Sequence, residues 1–134
     1  MTLVINGITS PLAKYIAENL PRPGNKSIFG VTRRVNFSDQ NCIVFNEDKI
    51  FEMESIPNSD ECILVNVSSA VPLNTSNGQE FFYANCISIP GVLERLVLKF
   101  KPRLLVNIST SDVYNHELAM ANEFNTGMPS TAYG

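Results

Sequence analysis

Two hydroxyl side chains late in the chain are of a type and placement that could move a proton. Thr110 lies in the cluster Ser109-Thr110-Ser111, which ends the apolar run Leu104-Leu105-Val106-Asn107-Ile108, and Tyr133 follows downstream. A phenol can exchange a proton with a substrate carbonyl while a neighbouring hydroxyl orients that oxygen, provided its pKa of about 10 is lowered toward the working pH. A nearby lysine or a cofactor charge is the usual means, and no lysine follows Tyr133 before Gly134. His116 is the single histidine and reads as a surface residue rather than a base.

A second constellation suits phosphate. Leu3-Val4-Ile5 stops at Asn6-Gly7, and Ser10-Pro11 stand where an N-cap and a first helical residue belong. Such a strand-glycine-helix turn presents free backbone N–H groups and the positive end of a helix dipole. The spacing Gly7-x-x-Ser10-x-x-Ala13 keeps one glycine of the three in a dinucleotide fingerprint. Gly7, Thr9, Ser10, Pro11 and Leu12 are the candidate cofactor-binding residues here, although a plain capped turn gives the same pattern. Arg33-Arg34, after the second apolar run, could clamp a 2′-phosphate, which favours NADP over NAD if a cofactor binds. An exposed basic pair on a loop is the alternative.

These groups need a sheet to position them. Leu3–Ile5, Ser27–Thr32, Cys42–Phe45, Cys62–Val67 and Arg103–Ser109 read as strands, the central ones buried on both faces. Leu12, Ala13, Ile16, Ala17 and Leu20 form a helical stripe. Residues 48–56 suggest a short helix, and 78–100 a long one that Pro90-Gly91 should kink or split, with Leu93, Leu96, Val97 and Phe100 as its buried stripe. The order predicts an α/β, doubly wound parallel sheet with strand order 3-2-1-4-5. Gly7, the loop Ser68-Ser69-Ala70 and the Ser109–Ser111 cluster then share one crevice. The link between strands two and three is short for a parallel crossover.

Length and composition set limits. The 134 residues, 44% hydrophobic and 17% charged, suit a single globular domain. A net charge of −3 argues against nucleic acid or an anionic membrane as partner. Cys42, Cys62 and Cys86 lack metal-type spacing and read as buried thiols, and no apolar run approaches a bilayer span. The expectation is a cytoplasmic protein whose partner is a small molecule or another protein.

With these residues in place, the chain resembles the N-terminal part of the extended short-chain dehydrogenase/reductase family, the nucleotide-sugar epimerases and dehydratases. Ser109-Thr110-Ser111-Asp112-Val113-Tyr114 is similar to that family's strand-five signature, with Thr110 at the position of its catalytic Ser or Thr. Pro129 to Gly134 resembles the approach to its Tyr-x-x-x-Lys motif, with Tyr133 as the tyrosine, and Asn85 resembles the helix asparagine. The resemblance implies a Rossmann-like domain over 1–134, incomplete at its C-terminus. It implies NADP or NAD as cofactor, held by the Gly7 turn, Arg33, Arg34, Ser68, Ser69 and Ala70, and a nucleotide-sugar substrate. Catalysis would rest on Thr110, Tyr133 and Asn85. The lysine and the substrate-binding region are not in this sequence, and self-association over an uncovered apolar face is expected. A degenerate, non-catalytic Rossmann module used for protein interaction is the alternative.

Overall fold

The computed structural model describes residues 1–20, 27–52, 61–70 and 78–109. Thr110, Tyr133, His116 and the Pro129–Gly134 stretch lie outside them. Five strands form one parallel sheet: β1 (Thr2–Asn6), β2 (Ser27–Thr32), β3 (Ile43–Asn46), β4 (Cys62–Asn66) and β5 (Leu104–Asn107). Their spatial order is β3-β2-β1-β4-β5, as expected of a Rossmann-like α/β fold. β1 is flanked on both sides in full register, from Thr2 against Ser27 and Cys62 to Asn6 against Val31 and Asn66. Its five residues are all buried, as the short β-branched run requires.

Two cores sandwich the sheet. On one face α1 (Pro11–Asn19) lays Ala13 and Ala17 over Leu3, Ile5, Ile28 and Val65. Small residues face the strands here, so the helix axis can lie close, while Leu12 is left exposed rather than part of the stripe. On the other face Val4, Phe29, Val31 and Leu64 pack against Val92, Leu96 and Phe100.

Those last three residues belong to a helical run that differs from the expected kink. α2 (Gly78–Tyr83) passes through a π turn (Ala84–Ser88) into α3 (Ile89–Phe100). The π turn lies just ahead of Pro90, whose ring and missing N–H are incompatible with an ordinary preceding turn; widening that turn lets the run continue. The buried stripe is Ile89, Val92, Leu96 and Phe100, with Val97 turned outward. At 23 residues, Gly78–Phe100 is long and apolar enough to cross a bilayer, contrary to the sequence expectation, yet here this stripe lies on the sheet.

Three further expectations change. The segment after β3 is a 3-10 helix, Glu47–Glu52, which buries Ile50 and leaves Phe51 exposed. β5, whose apolar run Leu104–Ile108 reads as a buried strand, is largely exposed: it pairs only with β4 among the described strands, and Leu104, Leu105 and Ile108 are exposed. The short β2–β3 link succeeds through an antiparallel bridge, Asp39 to Cys42, and a left-handed Asn36. Within it Phe37 packs on the α1-face core beneath the Lys14 ammonium, 5.5 Å from the ring centroid.

The cysteines are not uniformly buried. Cys62 is buried and its thiol pKa raised by desolvation, Cys42 is half-buried, and Cys86 is exposed on the π turn. Native-state alkylation followed by mass spectrometry should therefore label Cys86 first and Cys62 only on unfolding. Early modification of Cys62 would contradict this packing.

Candidate functional site

The C-terminal ends of β1, β2 and β4 surround a cleft of about 450 Å³. Of the residues singled out from the sequence, Gly7, Thr9, Ser10, Pro11, Arg33, Arg34, Ser68 and Ser69 line it. Leu12, in the first turn of α1, and Ala70, at the end of the β4 loop, do not line it.

The turn after β1 is built from the backbone outward. Gly7 has φ +87°, and a Cβ placed on it would lie 2.8 Å from the Ser68 nitrogen and 2.9 Å from its Cα. Glycine is required here by the chain's own loops as well as by any ligand. The Gly7 and Ile8 N–H groups both donate to the Val31 carbonyl, at 2.9 and 3.2 Å, so neither is offered to the cleft. Ser10 caps α1 through its Oγ, which accepts the Ala13 N–H at 3.1 Å, and Pro11 has no N–H. The N–H groups of Thr9 and Leu12 make no hydrogen bond to a described residue. Of these, Thr9 lines the cleft with Ser10 at the N-terminal dipole of α1, so an N–H and a hydroxyl suited to an anion stand at this wall.

The opposite wall is charged. After buried Thr32, whose Oγ1 accepts the Arg34 N–H at 3.0 Å, Arg33 and Arg34 stand exposed at the rim. Glu47, which composition and spacing had not marked, lies beside them. Burial raises its carboxyl pKa above the usual range; Arg33 opposes the rise, Asp48 adds to it and Arg95 opposes it. Because the folded pKa is the higher one, stability from this group is greatest below the ordinary carboxylate pKa and falls as pH rises toward the folded value.

The same titration sets the charge that an anion entering the cleft would meet. Protonating Glu47 removes a like charge, so affinity for a phosphate-bearing ligand should rise as pH falls through the Glu47 titration, which burial moves above the usual carboxylate range. Glu47→Gln should bind such a ligand roughly twofold to fivefold more tightly at neutral pH, the size of a partly screened charge contact. Calorimetric titrations across pH decide it, and a variant with the wild-type slope would refute it.

Behind the Ser68–Ala70 loop, Asn85 sits in the π turn and uses both ends of its carboxamide on Ala70. Its Oδ1 accepts the Ala70 N–H at 2.9 Å and its Nδ2 donates to the Ala70 carbonyl at 3.0 Å. The side chain expected among the catalytic groups thus holds the β4 loop. Sequence reading also missed Asn6, Asn66 and Asn107. Their only signal was the recurrence of an asparagine after Val-Ile, Leu-Val and Leu-Val at three strand ends. Among the described residues no cluster of His, Cys, Asp or Glu could hold a metal ion.

No family model and no curated protein matches the sequence. Solved structures do. The chain superposes on UDP-N-acetylglucosamine 4-epimerase from Bacillus cereus with a TM-score of 0.70 at 19% identity, covering 100% of this chain and 46% of that one. UDP-glucuronic acid 4-epimerase from Bacillus cereus, in complex with NAD, gives 0.71 at 13% identity, with 100% and 48% covered. ADP-L-glycero-D-manno-heptose-6-epimerase from Helicobacter pylori gives 0.70 at 16%, with 99% and 46% covered. At these identities the likeness is one of fold, and the chain spans about half the length of the structures it matches.

Proposed function

We propose that the chain is the NAD(P)-binding portion of a nucleotide-sugar epimerase, dehydratase or reductase of the extended short-chain dehydrogenase/reductase family. The observation that carries this reading is the pair Thr9 and Ser10 at the N-terminus of α1, lining a cleft whose other wall bears Arg33 and Arg34. A dinucleotide needs such a pyrophosphate site, and its adenosine 2′-phosphate would suit the arginine pair. The fold shared with three sugar-nucleotide epimerases, one of them bound to NAD, points the same way.

When bound, the nicotinamide would supply hydride exchange with the sugar. The chain's own residues supply the rest. Thr9 and Ser10 would hold the pyrophosphate and Arg33 and Arg34 the ribose end, while Asn85 fixes the loop from Ser68 to Ala70. Thr110 would orient the substrate oxygen and Tyr133 would exchange its proton. The arginines favour NADP, whereas Glu47 beside them weakens that preference.

Titration with NADP and NAD by calorimetry tests the reading: both should bind, NADP more tightly. Binding of neither at millimolar concentration would remove the cofactor claim. That outcome would favour a non-catalytic Rossmann module for protein interaction, a reading supported by the loss of the Gly7 and Ile8 N–H groups to Val31. The proposal extends to self-association, because Leu104, Leu105 and Ile108 expose apolar surface.

A further inference from the structure

Three adjacent strands, of which the first two bound the cleft, carry asparagines at one level. Asn6, Asn66 and Asn107 are register partners across β1, β4 and β5. Their carboxamides form a chain: Asn6 Nδ2 donates to Asn66 Oδ1 at 2.9 Å, and Asn66 Nδ2 donates to Asn107 Oδ1 at 2.7 Å. Asn66 Oδ1 also accepts the Ser68 N–H at 3.2 Å. Asn6 and Asn66 are only 3% and 4% exposed, whereas Asn107 is exposed.

An apolar sheet gains nothing from buried amides as such, because each must be paired to offset its desolvation. This chain is polarised in one direction, and hydrogen bonds in such a series strengthen one another. Its ends are the useful fact. Asn6 lines the cleft next to Gly7, and Asn107 stands at the exit of β5, before Ser109. Asn66, between them, holds the Ser68 backbone that closes against Gly7. Backbone bonds follow the same path, from Val67 N–H to the Asn6 carbonyl and from Ile108 N–H to the Asn66 carbonyl, both at 2.9 Å.

We infer that Asn66 is a positioning residue. Through the Asn6–Asn66–Asn107 amide chain it holds the Gly7 turn, the Ser68 backbone and the β5 exit at one spacing, so that cofactor affinity at one end depends on Asn107 at the other. This deepens the cofactor-binding reading and rests on it for its ligand. The competing account is a register clamp, in which the amides select one strand pairing and do nothing further. The two accounts differ at Asn107, which is exposed and away from the cleft.

The test uses the full chain with NADP as probe, and the variants Asn107→Ala, Asn107→Asp, Asn66→Leu and the pair Asn66→Leu/Asn107→Ala. Asn107→Ala should melt somewhat below wild type, because it leaves the buried Asn66 Nδ2 without its partner, and should bind NADP roughly five- to tenfold more weakly, the range of a modest coupling between sites. Its Ser68 amide should exchange with solvent faster. Asn107→Asp keeps the oxygen that accepts from Asn66 Nδ2 and should restore Ser68 protection. The double variant should bind no worse than Asn66→Leu alone, since the chain is already cut. Wild-type affinity and wild-type Ser68 exchange in Asn107→Ala would overturn the inference, as would multiplicative losses in the double variant. If wild type binds no NADP, the cofactor reading fails while Ser68 exchange still decides the role of the amide chain.

Discussion

Replacing Gly7 by alanine should destabilise the fold by roughly 2–4 kcal/mol, combining a left-handed backbone with an overpacked contact. The first contribution comes from φ +87°, which an L side chain rarely adopts. The second comes from the Ser68 backbone, 2.8 Å from the new Cβ. Neither partner can readily withdraw, because the Gly7 N–H is bonded to the Val31 carbonyl and the Ser68 N–H to Asn66 Oδ1. Any retreat of the turn also moves Thr9 and Leu12, so cofactor binding should fall with stability. Gly91→Ala is the control of opposite sign. Gly91 lies in α3 with open space around its missing Cβ, and alanine there should stabilise by about 0.5–1 kcal/mol through helix propensity. Urea unfolding of both variants decides the matter. A Gly7→Ala change within about 0.5 kcal/mol of zero, the ordinary surface range, would show that the turn is not held as described.

Much of this architecture was legible in the sequence because a strand buried on both faces leaves a continuous apolar run. Leu3–Ile5 and Cys62–Val67 were found that way, and the alternation of strands with helices then fixed the order 3-2-1-4-5. What escaped depends on geometry that spacing does not encode. Pro90 marks a disturbance, but whether a helix breaks or widens into a π turn depends on burial of the residues around it, Ile89 before the proline and Val92 after it. Leu12 and Val97 fit an apolar stripe by period, yet small Ala13 and deep-set Val92 occupy the contact line instead. Spacing points to the glycine of the first turn as the phosphate donor, whereas Val31 takes the Gly7 N–H and the Thr9 N–H makes no bond to a described residue. The amide chain was invisible because it exists only once three distant strands are in register.

Gly30→Ala should cost a similar amount, about 1–3 kcal/mol by overpacking, although nothing in the phosphate motif includes this residue. Gly30 pairs with Ile5 in the sheet, and the fully buried Ile8 side chain occupies the space above it. A Cβ on Gly30 would lie 2.6 Å from Ile8 Cγ1 and 2.9 Å from its Cβ. A branched side chain in a filled core has no alternative rotamer to take, so the strain must pass into the backbone at Ile8. Truncation at Ile8 offers the decisive comparison. Alone, Ile8→Ala should cost about 2–5 kcal/mol as a cavity. With Gly30→Ala present it should cost at least ~1 kcal/mol less, because it removes two of the three clashing atoms. Additivity of the two changes would place the strain elsewhere. If coupling appears, cofactor affinity should recover partly in the double variant, since Ile8 directly follows Gly7 and its displacement carries Thr9 with it. The shape of the turn then depends on two glycines, Gly7 making room for Ser68 and Gly30, in β2, for Ile8.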